Sequence, residues 1–91
     1  MNVLAIGYLT GKDIQPHLAA EQEAVAKMRQ EGFIGDVYLK ADRTGPVLLL
    51  KDTDRDDARQ RLASLPFVTE HLVAFDLIEL NSLPVNNQAA A

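Results

Sequence analysis

His17, Asp36 and Tyr38 are the residues whose types best suit proton chemistry, and Tyr8, Lys40 and Asp76 are the groups most able to hold a ligand beside them. An imidazole can take a proton from a carbon acid near neutral pH. His17 follows Pro16 at the start of a helix-forming run, where the positive end of the helix dipole lies. The plainer reading is a surface histidine beside a proline. Asp36 and Tyr38 are two residues apart, so in a strand they share a face. A carboxylate and a phenol placed together can orient or polarise a substrate, and Tyr8 can join them from a neighbouring strand. The plainer reading here is a tyrosine hydroxyl at the rim of a sheet, with Asp36, Lys40 and Asp76 simply wet at strand ends.

Glu21 lies four residues after His17, on the same helical face. Two ligands at this spacing can touch one metal ion, but no third ligand is evident, and no metal or other cofactor is expected. Glu70 and His71 precede the last strand, and His71 reads as a surface residue. No phosphate loop, nucleotide fingerprint or Ser/His/Asp ordering is present.

The elements that must position these groups follow from apolar spacing. Residues 2–9 read as a strand. After a loop at residues 11–15, Pro16 suits a first helical position, and residues 17–31 are strong helix formers. Leu18, Val25 and Met28 mark a narrow apolar stripe, interrupted by Glu21 and Gln22 and flanked by Ala24. Gly32 supplies the stop. Residues 33–41 read as a second strand, turning through Asp42-Arg43-Thr44-Gly45 into a third at residues 46–51. Asp52-Thr53-Asp54 opens a second helix, with Thr53 and Asp56 resembling a capping box. Its buried stripe is Ala58, Leu62 and Leu65, and its arginines and aspartates read as a solvated, salt-bridged face. Pro66 ends it, and residues 72–80 form a fourth strand.

The order is βαββαβ, an α+β, ferredoxin-like arrangement with both helices on one face of a four-stranded antiparallel sheet. One strand register reads Val3, Ala5, Gly7, Leu9, then Phe33, Gly35, Val37, Leu39, then Val73, Phe75, Leu77. It is wholly apolar and suits close helix packing. The other reads Leu4, Ile6, Tyr8, then Ile34, Asp36, Tyr38, Lys40, then Ala74, Asp76, Ile78, and is assigned to the face away from the helices. Two helices span roughly 20 Å, enough to cover one face of four strands at about 4.8 Å each. The second face is therefore an apolar patch near the upper limit for a monomer, and a second copy of the chain is the simplest cover.

With 91 residues, the chain makes one domain, drawn at residues 1–83 with a C-terminal tail at 84–91. Its net charge of −4 disfavours nucleic acid or an anionic membrane as the main partner. Cysteine is absent, which excludes a disulfide frame and a thiolate nucleophile. Without a leader-like or membrane-spanning run, a cytoplasmic protein is expected.

From Pro16 to Leu80 the chain resembles the dimeric α+β barrel superfamily. Pro16-His17-Leu18, with a helix ending Glu31-Gly32-Phe33, is similar to the YCII-related family. Leu62-Ala63-Ser64-Leu65-Pro66-Phe67, followed by residues 74–80, is similar to the muconolactone isomerase-like family. The resemblance implies two ferredoxin-like subunits packed sheet to sheet, possible higher assembly, and a cavity for a small organic ligand. It implies a catalytic or binding role for His17. The chain departs from the YCII pattern after Phe33, where Gly35-Asp36-Val37 stands in place of a Gly-Pro pair. Two functions remain open. One is a cofactor-free isomerase or cyclase working by proton transfer, with His17 or Asp36 as base. The other is a non-catalytic ligand-binding or accessory protein of the YCII-like type.

Overall fold

A computed structural model describes residues 1–84. The proposed tail at 84–91 therefore lies outside the described residues, except for Pro84. The strands are β1 (Asn2–Leu9), β2 (Ile34–Leu39), β3 (Pro46–Leu50) and β4 (Val73–Leu80). The helices are α1 (Leu18–Gln30), α2 (Arg55–Leu62) and the short α3 (Pro66–Thr69), with a 3-10 turn at Gln15–His17. The sheet order is β2-β3-β1-β4, with every neighbouring pair antiparallel. This is the ferredoxin-like α+β fold that the element order implies.

The core sits between the sheet and the α2–α3 side of the helical layer. Val3 and Ala5 on β1 pair with Leu50 and Leu48 on β3, and all four are buried. Ala58 and Leu62 from α2, Leu65 from the following turn, and Leu77 from β4 close over them. Two glycines allow the central strands to approach at one end. A side chain on Gly45 would strike the Gly7 carbonyl, and one on Gly7 would strike Pro46.

Several local expectations change. Ile34 faces the helices and is buried, paired with Leu50. A bulge separates it from the Val37↔Leu48 pair, so Gly35 and Asp36 together oppose Leu49. The strand alternation that assigned Ile34 to the open face fails because the bulge inserts one residue. Gly35 suits it, since a Cβ there would press on Lys51. Pro16 lies in the 3-10 turn, and α1 begins only at Leu18. At α2 the cap is Asp54, whose side chain accepts the Asp57 backbone N–H at 2.8 Å. Thr53 is buried and donates its hydroxyl to Asp57 instead, so the cap sits one residue later than the Thr53–Asp56 spacing predicts. Helix α2 ends at Leu62, and Pro66 opens α3 rather than a loop. The charged face of α2 is not laced by its own ion pairs. The ion pairs among the described residues are Arg61–Glu31 at 3.5 Å and His17–Glu70 at 3.7 Å, both joining separate elements.

The stop of α1 is as expected. Gly32 takes φ +82, and the Phe33 N–H reaches back to the Met28 carbonyl. The packing of α1 differs from expectation: none of its residues is buried. The helical layer thus covers the β4 side of the sheet closely and the β2 side loosely.

Candidate functional site

The loose packing of α1 leaves a cleft of about 510 Å³ between that helix and the β2–β3 end of the sheet. Leu18 and Val25 line its helical wall, Val37, Leu39, Pro46 and Leu48 its sheet wall, and Phe67 and Phe75 its end. Its volume is in the range of small-molecule sites, which are mainly apolar with a few placed polar groups. The polar side chains of its helical wall are Glu21, Gln22 and Arg29. Val37, Tyr38 and Leu39 are each 40% or more exposed. Apolar side chains left this open on an edge strand form a ready contact surface.

Glu21 is the acid of this cleft. It stands on the inner stripe of α1, among Leu18, Ala24, Val25 and Met28, and is half-buried. Burial pushes its carboxyl above the ordinary value of 4.5, against a smaller opposing effect from the Phe67 backbone N–H. That N–H donates to Glu21 Oε1 at 3.0 Å. The bond ties the first turn of α1 to α3. A carboxyl raised by burial, in an apolar cleft open at one side, is a stronger base than an exposed one. The signal in the sequence is the break that Glu21 makes in the apolar stripe. An acid at an inward helical position is either turned out or recruited, and here it is recruited.

The six residues first singled out do not converge. Tyr8 and Lys40 meet: the Lys40 ammonium lies 3.8 Å from the centroid of the Tyr8 ring. Both stand at the end of the sheet carrying the Asp42–Gly45 turn. In that turn the Thr44 hydroxyl and backbone N–H donate to Asp42, holding its carboxyl below the ordinary value. Tyr38 pairs with Val47, and Asp76 with Ile6, placing all four on one row across the open face. Asp36 flanks that row at the β2 bulge and is exposed. His17 lies in the helical layer, half-exposed, with its Nε2 near Glu70. The sheet therefore separates His17 from Asp36. His17 and Glu21 meet separate partners, Glu70 and the Phe67 N–H. No group of three or more His, Cys, Asp or Glu side chains among the described residues could hold a metal ion. No helix among the described residues is long and apolar enough to cross a membrane.

The open face itself is apolar at its centre. Leu4, Ile6, Val47 and Leu49 are half-buried there, and Tyr8, Tyr38 and Ile78 stand exposed around them.

No protein-family model matches the chain, and no curated protein matches it. Among solved structures, the fold is similar to that of 5-chloro-2-hydroxyhydroquinone dehydrochlorinase (TftG) from Burkholderia phenoliruptrix AC1100, in complex with 2,5-dihydroxybenzoquinone. The TM-score is 0.67 at 17% identity, and the match covers 89% of this chain and 94% of that one. The likeness is one of fold, shared with a small enzyme.

Proposed function

We propose that this chain binds a small ring compound in the cleft under α1 and moves a proton on it without a cofactor, as in isomerisation or elimination. The observation that carries this reading is a single half-buried acid, Glu21, set in an otherwise largely apolar cleft of about 510 Å³. A carboxyl raised by burial is a stronger base than an exposed one, and the apolar walls lower the polarity around it. The fold neighbour acts on a chlorinated hydroquinone and holds a flat dihydroxy-quinone, which is compatible with a cleft for a planar ring. The YCII-like opening at Pro16-His17-Leu18 places His17 one residue from Leu18 of the cleft wall. Its imidazole lies 3.7 Å from Glu70, so His17 enters this reading through that pair. Asp36, Lys40 and Asp76 belong by position to the open face and its rim, and Tyr8 lies there as the ring against Lys40.

The working unit in this reading is a homodimer, joined through the open faces. The support is the apolar centre at Leu4, Ile6, Val47 and Leu49, a continuous patch that a single copy leaves wet at its margins. Sedimentation of the wild type against Ile6→Lys tests it: the wild type sediments as a dimer and the variant as a folded monomer.

The catalytic reading is tested by proton exchange. Small lactones, cyclic ketones and aromatic keto acids are incubated in deuterated buffer, and exchange at the acidic carbon is followed by NMR. Exchange that Glu21→Gln lowers at least about a hundredfold, with binding kept, is the expected result. Glutamine still accepts the Phe67 N–H, so the fold is preserved. Binding without exchange in the wild type selects the non-catalytic ligand-binding reading instead.

A further inference from the structure

We propose that the cleft selects an elongated aromatic compound with a hydroxyl at one end and an anionic group at the other, read by Glu21 and Arg29. The inference rests on the cleft being the ligand site and names what that site takes. Glu21 and Arg29 both line the cleft, and both stand on α1. Eight residues separate them, so their backbones lie about 12 Å apart along the helix axis at 1.5 Å per residue. Among the described residues lining the cleft they are its one anion and its one cation. Between them the walls are hydrocarbon, from Val25 on the helix and Leu48 on the sheet.

The two ends read different chemistry. Glu21 has Oε1 committed to the Phe67 N–H, while Oε2 has no hydrogen-bond partner among the described residues. A carboxylate oxygen left open in a residue that lines an apolar cleft accepts a hydrogen bond from a hydroxyl and repels an anion. Arg29 makes no ion pair among the described residues. A guanidinium left open at a cleft mouth offers a two-pronged donor to a carboxylate. On a chain of net charge −4, that local cation is what lets an anionic ligand approach. Reversing the ligand would put its anion against Glu21, so the polarity also sets the orientation in which a ring meets the acid.

The test uses three probes at pH 7: 4-hydroxycinnamate, its methyl ester, and 4-methoxycinnamate. Titration calorimetry is run on wild type, Arg29→Gln and Glu21→Gln, with far-UV circular dichroism checking the fold. The wild type is expected to bind the hydroxy acid about tenfold more tightly than either analogue, the scale of one charge-assisted hydrogen bond. Arg29→Gln is expected to bring the acid down to the affinity of the ester and leave the ester unchanged. Glu21→Gln is expected to narrow the gap between the hydroxyl and methoxy probes and leave the acid–ester gap intact. Equal binding of all three probes by the wild type, or an acid preference that survives Arg29→Gln, overturns the inference and leaves the cleft as a site. Binding of none of the three overturns the cleft reading together with it.

Discussion

The two strand–helix halves of this chain use the same elements for opposite ends. In the second half, α2 and the turn after it bury Ala58, Leu62 and Leu65 against the sheet, and α3 adds Phe67. In the first half, α1 is longer, at 13 residues against 8, yet buries none of them completely. The difference lies in what each helix turns inward. The inner face of α2 is aliphatic. The inner stripe of α1 carries Glu21 among small or half-buried residues, and Gln22 and Arg29 flank it. An inward carboxyl needs a partner and some solvent, so the helix cannot close down as α2 does. Tight packing in one half supplies stability, and loose packing in the other leaves room for a ligand.

The largest expected effect separates the halves directly. Leu62→Ala should destabilise the fold by about 3 kcal/mol, as a deeply buried leucine does. Val25→Ala on α1 should lose only about 1 kcal/mol, because the cleft already exposes part of that side chain. Urea unfolding of both variants measures the contrast, and equal losses would mean that α1 is as much core as α2.

The helix starts differ in the same sense. Asp54 caps α2 through the Asp57 N–H, and Asp54→Ala is expected to remove about 1 kcal/mol. His17 makes no side-chain cap bond at α1, and its ion pair with Glu70 is open to solvent. His17→Ala should therefore shift the thermal midpoint by no more than about 2 °C. A larger loss would show that the start of α1 is anchored more firmly than its packing indicates.

The smallest effect is a pH dependence. Burial raises the Glu21 carboxyl above 4.5, so the folded chain holds that proton more tightly than the unfolded one. Stability from this group is fully present below about the unfolded value and is lost as pH rises through the raised folded value. Glu21→Gln removes that loss. Relative to wild type, the variant should gain thermal stability between pH 4 and pH 7, read by parallel melts. A constant difference across that range would mean that Glu21 is as well solvated folded as unfolded.

Much of the frame is legible from local pattern. The βαββαβ order, the Gly32 stop and the Ala58–Leu62–Leu65 stripe all follow from residue spacing and short-range backbone chemistry. So does the apolar face left open beyond the helices. The Asp42–Gly45 turn is equally local, since its hydrogen bonds run between residues two to five apart. The bulge at Gly35-Asp36 was not legible, because a glycine beside an aspartate marks a bulge only once a partner strand fixes the count. The cap at Asp54 is likewise not legible: the Thr53–Asp56 spacing points to Thr53, and the burial of Thr53 against Asp57 moves the cap one residue on.

Local residue pattern sets the order of elements and which strand faces are apolar, because both depend on periods of two and 3.6 residues that the chain carries along its length. Long-range packing sets where the chemistry gathers. His17 and Asp36 are divided by the sheet, while Glu21 and Arg29 are drawn to one cleft. The physical reason is that a cleft is a gap between distant surfaces. Its shape depends on how closely α1 packs, and that closeness is set by the inward Glu21 and by the Phe67 N–H, 46 residues away, which holds it there.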